Sequence, residues 1–100
     1  MVTVIHADYA LPLSLGQIAA AAHLSPSSAS RLFTRSTGSN VSVYLTVVRV
    51  NAACRLLRET DRAVAAIAGD CGFSNLSNFN RHFKDLKGEA PSSYRGRFAG

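Results

Sequence analysis

Tryptophan is absent from this 100-residue chain, cysteine occurs twice, proline three times, and no lysine or arginine lies before Arg31. Each scarcity narrows the reading. Cys54 and Cys71 form no C-x-x-C pair and have no histidine at ligand spacing, which argues against a zinc site or a disulfide framework, so both are read as buried thiols. His6, His23 and His82 are scattered, and no Ser/His/Asp or paired-carboxylate pattern appears, so the expectation is a protein that is not an enzyme and takes neither metal nor cofactor. No apolar run approaches the ~18–20 residues of a membrane span, and the N-terminus lacks the basic start and small-residue cleavage site of a signal peptide. A cytoplasmic location without membrane contact is expected.

What is present fits a helical domain. An apolar content of 47% is enough for one compact core, or for two very small ones sharing a helix, and a formal charge of +5 favours polyanionic partners. The cations recur from Arg31 onward inside apolar segments with helical periodicity, which places them on faces rather than in a tail. No alternating strand pattern of useful length occurs, and Pro12, Pro26 and Pro91 each stand at an element boundary, so the chain is read as all-α.

Ser14 followed by Gln17 makes a capping box, and Leu15, Ile18, Ala19 and Ala22 repeat as one buried face of a helix over about residues 15 to 22. In HLSPSSASRLFTRSTG, residues 23 to 38, Ser25 caps and Pro26 fits the first helical position; Ala29, Leu32 and Phe33 form the apolar stripe, and Gly38 ends it. The opposite side centres on Ser27, Arg31 and Thr34, with Ser30 and Arg35 at its edges. Two short helices joined by a tight turn, the second with small polar groups and an arginine outward, make a helix-turn-helix pattern.

The pattern occurs twice. At an offset of 49, Ile18, Ala19 and Ser25 match Ile67, Ala68 and Ser74; after a one-residue slip, Ser27, Arg31, Phe33, Gly38, Ser42 and Tyr44 match Ser77, Arg81, Phe83, Gly88, Ser92 and Tyr94. The face Val64, Ile67, Ala68, Cys71 echoes Leu15, Ile18, Ala19, Ala22, which assigns Cys71 to the core. His23 stands at the turn position that Gly72 fills and is expected to adopt a left-handed backbone there. Between the units, residues 41 to 59 read as one long helix with Tyr44, Leu45, Val48, Ala52 and Leu56 in register. Its length, about 28 Å at 1.5 Å per residue, is close to the ~34 Å between successive major-groove turns on one side of a DNA duplex.

In GFSNLSNFNRHFK, residues 72 to 84, Phe79 and Phe83 gather with Leu76 and Leu86 on one side, leaving Ser77, Arg81 and Lys84 opposite and Asn78 and Asn80 at the edges. Short donors and acceptors of this kind suit major-groove base edges: Asn pairs bidentately with adenine, Arg with guanine, and Ser with several bases. Arg35, Lys84 and Lys87 are better placed beside phosphates, which supply affinity without sequence information. A solvated amphipathic face explains one such helix about as well; two, with Arg31 and Arg81 at equivalent positions, favour DNA. A helical protein–protein interaction module without specific DNA readout stays open as the alternative.

The stretches SLGQIAAAAHLSPSSASRLF, YLTVVRVNAACRLL, IAGDCGFSNLSNFNRHFK and PSSYRGRF together resemble the DNA-binding domain of AraC/XylS-type transcriptional regulators over residues 14 to 98. That resemblance implies about seven helices in two helix-turn-helix units joined by a long linker helix. Residues 1–13 would be the remnant of a first helix and its lead-in, 14–40 the first unit, 41–59 the linker, and 60–100 the second unit with a C-terminal helix. It implies sequence-specific binding of a double-stranded operator, with base contacts from Ser27, Ser30 and Arg31 in the first unit and from Ser77, Asn78, Asn80 and Arg81 in the second. Phosphate contacts fall to Thr34, Arg35, Lys84 and Lys87. The family also places a base contact at Leu76, but the helical projection puts that residue near the buried edge; it either packs as core or touches a thymine methyl, the one apolar group in the major groove, and core packing is the expectation. Ala63 stands where a Ser or Thr cap is usual. RNA polymerase is an implied partner, and an N-terminal effector or dimerisation domain is implied outside this chain, which reads as the C-terminal domain of a longer regulator.

Overall fold

Seven helices account for most of the chain in the computed structural model, which describes residues 1–98 and contains, among them, no strand: α1 (Val2–Asp8), α2 (Leu15–Ala21), α3 (Pro26–Thr37), α4 (Val41–Glu59), α5 (Val64–Asp70), α6 (Leu76–Lys87) and α7 (Pro91–Phe98). They form two units, Met1–Val48 and Arg49–Gly100, with α4 contributing to both. No described helix is long and apolar enough to cross a membrane.

The boundaries follow from local chemistry. The Ser14 side chain accepts from the Gln17 backbone N–H at 3.2 Å while the Ser14 N–H donates to the Gln17 side chain at 2.8 Å, closing the capping box that starts α2. Ser25 accepts from the Ser28 N–H and Pro26 takes the first position of α3. In the second unit the equivalent cap is Asn75, accepting from the Asn78 N–H at 2.7 Å; Ser74, matched to Ser25 by sequence, is not the cap. The connection between helices has four residues (22–25) in the first unit and five (71–75) in the second, and the slip in the repeat lies in that extra residue. Gly38 and Gly88 end α3 and α6 in left-handed conformation, at φ 78° and 80°.

Both turns share one solution. His23 has φ 58° and Gly72 φ 99°, and the residue after each donates its backbone N–H five residues back, Leu24 to Ala19 at 2.9 Å and Phe73 to Ala68 at 3.0 Å. Histidine in this backbone region carries a steric cost that glycine lacks.

Each unit has its own core. Ile5, Ile18, Phe33, Val41 and Leu45 form the first, backed by Leu13, Leu15, Tyr44 and Val48. The second is built from Val50, Ala53, Cys54, Leu57, Ile67, Ala68, Cys71, Phe79, Phe83 and Tyr94. In each, a tyrosine meets a phenylalanine edge-on: Tyr44 to Phe33 at 5.2 Å and 87°, and Tyr94 to Phe83 at 5.4 Å and 77°. The residues expected in register along α4 are divided between the cores, with Tyr44, Leu45 and Val48 packed in the first and Ala52 and Leu56 against the second. The helix carries two apolar stripes, with Val41, Leu45 and Val48 in the first core and Val50, Ala53, Cys54 and Leu57 in the second. Leu32 and Leu86, assigned by periodicity to buried faces, are exposed, because no neighbouring element in their unit covers those edges of α3 and α6.

Both cysteines are free and buried. Burial, with the nearby Asp70 carboxylate second, pushes the Cys71 thiol up from 9.0 to about 11. At pH 8 the folded protein should therefore resist thiol alkylation at Cys71, and full labelling in denaturant but not in buffer is the expected mass-spectrometric result. Because the folded state keeps this proton to higher pH than the unfolded chain, stability should fall as pH rises from 9.0 towards about 11. Cys71→Ala should flatten that part of the profile.

Ala63 precedes α5 and forms no side-chain cap. Ala63→Ser should add about 0.5–1 kcal/mol, read as a shift of about 2–8 °C in thermal unfolding. His23→Gly should stabilise by up to about 1 kcal/mol for the backbone reason above. Loss of stability would contradict this account of the α5 start in the first variant and of the first unit's turn in the second.

Candidate nucleic-acid interface

The outward faces of α3 and α6 are fixed by what their inward faces bury. In α3, Ala29 and Phe33 are inaccessible; in α6, Phe79 and Phe83 are. With these residues pinned one turn apart, Ser27, Arg31, Thr34 and Arg35 on α3 and Ser77, Asn80, Arg81, Lys84 and Lys87 on α6 are exposed, as their spacing predicts. Ser30 and Asn78 are half-buried and stand at the edges. In each unit the candidate side chains thus share one helix with a single solvent-facing side.

The faces differ in how they are organised. On α6, Arg81 Nη2 donates to Asn78 Oδ1 at 3.1 Å, while Asn78 gives its backbone N–H to the Asn75 cap. Cap, amide and guanidinium form one chain along the exposed side. On α3, the residue equivalent to Asn78 is Ser28, which is engaged with Ser25 rather than with Arg31. Lys87 Nζ donates to Asn51 Oδ1 on α4 at 2.9 Å, a link that sequence spacing does not reveal because the two residues are 36 positions apart. His82, half-buried on α6, lies against Phe73, with ring centres 6.2 Å apart.

Leu76 corrects an expectation. It is 41% exposed rather than packed as core. As the first residue of α6 it occupies the position Pro26 has in α3, before the helix has turned its side chains towards the core. It lines an open cleft with Asn80 and Lys84 of α6, Val64 of α5, and Ala90, Pro91 and Ser92 at the start of α7.

Charge is unequally divided. Arg31 and Arg35 are the cations of the first unit, opposed by Asp8, whereas the second carries the other nine against five carboxylates. Several of the nine are committed elsewhere: Arg62 pairs with Asp70, Arg97 with Glu89 at 2.6 Å, and Arg95 donates to the carbonyls of Leu57 and Thr60. Arg81 and Lys84 remain on the outward side of α6. Among the described residues no group of three or more His, Cys, Asp or Glu is placed to hold a metal ion.

A family model described as a helix-turn-helix domain matches residues 18–97. The uncharacterised HTH-type transcriptional regulator YtdP of Bacillus subtilis is 36% identical over 95 residues, which are 95% of this chain and 12% of that protein. The chain spans about a third of other curated relatives. Among solved structures, a Chromobacterium violaceum transcriptional regulator described as of the AraC-type DNA-binding kind superposes with a TM-score of 0.91 at 30% identity, covering 98% of this chain and 88% of that one. The DNA-binding domain of AdpA, a global transcriptional factor solved in complex with a target DNA, gives 0.90 at 30% identity, covering 97% and 86%.

The outward placement of Leu76 can be tested by stability alone. Leu76→Ala should change unfolding free energy by no more than about 0.5 kcal/mol, whereas Phe79→Ala, one turn away, should cost about 3–5 kcal/mol in denaturant titration. Comparable losses would place Leu76 in the core after all.

Proposed function

The chain belongs to the AraC-type helix-turn-helix family, and from that premise we propose that it binds operator DNA sequence-specifically, laying α3 and α6 into successive major-groove segments to regulate transcription. The observation that carries this reading is the outward side of α6, where Ser77, Asn80 and the Asn78–Arg81 pair lie together, free of carboxylates at those positions. Asn and Arg in a groove match adenine and guanine edges, and a carboxylate there would be repelled by phosphate. The AdpA domain, similar over nearly all of this chain, is bound to a target DNA.

Ser27, Ser30 and Arg31 on α3, and Ser77, Asn78, Asn80 and Arg81 on α6, are the proposed base-contacting residues. Thr34, Arg35, Lys84 and Lys87 are the proposed phosphate contacts. The second unit, richer in amides and cations, supplies more of both discrimination and affinity. The parent protein is proposed to carry a further domain for effector binding or dimerisation, in keeping with the short span of the relatives that this chain matches. Contact with RNA polymerase and action in the cytoplasm belong to the same proposal, as does a role in binding rather than catalysis, since the matched relatives are transcriptional regulators.

Arg31→Ala and Arg81→Ala should each weaken binding to the preferred site by about 1–3 kcal/mol and relax base preference at separate positions. Lys84→Ala should instead weaken all duplexes alike and lower the slope of log affinity against log salt by about one. Fluorescence-anisotropy titrations over a set of single-base variants at two salt concentrations separate these outcomes. Equal losses on every sequence for all three variants would refute direct readout and favour a face that docks protein.

A further inference from the structure

The Lys87 ammonium donates to Asn51 Oδ1 at 2.9 Å, joining the last turn of α6 to α4 within the second unit. Both side chains are exposed, but both backbones are pinned by one core: Asn51 stands between Val50 and Ala53 on α4, and Lys87 lies one turn beyond Phe83 on α6. The acceptor is therefore presented from a fixed place. At about 100° per residue, Lys87 shares an arc of about 60° with Asn80 and Lys84 on the outward side of α6, whereas Asp85, the one carboxylate on that helix, falls about 160° away from it. Glu89, just past the helix end, is paired with Arg97.

The chemistry of the acceptor decides what this bond does. A carboxylate at position 51 would neutralise the ammonium, as Asp70 and Glu89 do for Arg62 and Arg97. An amide carbonyl holds it and leaves its charge whole. An ammonium carries three protons, so two stay available to anionic oxygens. A loose lysine loses rotamer freedom when it meets a phosphate, and a lysine already held loses less. Resting on the DNA-binding reading, we propose that Asn51 is a positioning residue for the duplex backbone, holding Lys87 at the end of α6 as a pre-ordered, fully charged phosphate contact. The linker helix thereby contributes affinity without touching a base.

A double-variant cycle tests this, read by fluorescence anisotropy on the complete 100-residue chain with its preferred duplex and a scrambled one over a series of salt concentrations. Lys87→Ala should lower the slope of log affinity against log salt by about one on both duplexes. Asn51→Ala should weaken both duplexes alike, by about two- to tenfold, the range for ordering one long side chain, and keep the slope. In the Lys87→Ala background the same change should have no effect. Asn51→Asp, whose carboxylate pairs with the ammonium, should lower the slope by about one, as Lys87→Ala does.

An unchanged slope for Lys87→Ala or Asn51→Asp, an Asn51→Ala variant that binds like the wild type, or an Asn51→Ala loss that persists in full without Lys87 would each overturn the inference. With the preferred duplex still favoured over the scrambled one, any of these leaves the DNA-binding reading intact. A wild-type chain that binds neither duplex would overturn both. Asn51 and Lys87 are exposed, so each variant should melt like the wild type, and Lys87→Ala tests the contact without any change in α4.

Discussion

Burial of the phenylalanines at the centre of α3 and α6 is the constraint from which the rest of the molecule follows. Phe33 in the first unit and Phe79 and Phe83 in the second are almost wholly inaccessible. A side chain of that size contributes several kcal/mol when buried, far more than any exposed hydrogen bond on the same helix. The rotation of each helix about its own axis is therefore set by its phenylalanines, and the polar residues take the direction left over. Tyr44 and Tyr94 reinforce this by meeting Phe33 and Phe83 edge-on.

Each polar outward face thus rests on an apolar anchor two or three residues away, and the chain makes this arrangement twice with different quality. The second unit holds its helix start with an asparagine, its turn with a glycine, and its arginine with an asparagine. The first uses serines for its caps and tolerates histidine at φ 58° in the turn. A held guanidinium loses less freedom when it engages a planar acceptor pair than a loose one, so Arg81 is better prepared for a bidentate contact than Arg31.

Much of this was legible in the sequence because caps and breakers act locally. Ser14 with Gln17, Ser25 with Pro26, and Gly38 and Gly88 state where helices begin and end without reference to anything distant, and the offset of 49 between turns located the left-handed residue at position 23. Exposure was harder to read. Leu32, Leu76 and Leu86 sit at the edges of apolar stripes, and whether an edge is covered depends on a neighbouring element that periodicity does not describe. Alpha-helical register likewise could not show that α4 serves two cores with two stripes, since apolar spacing records which positions are buried and not which partner buries them. The Lys87–Asn51 link has no local signal at all.

The central claim is that two differently furnished recognition helices read DNA bases. Selection from a random-sequence duplex library with the purified chain, at two salt concentrations, tests it most directly. The account predicts an asymmetric motif with two conserved blocks about ten base pairs apart, retained as salt rises while overall affinity falls. Binding without enrichment that vanishes at the higher salt would contradict it, leaving only attraction between a basic surface and a polyanion.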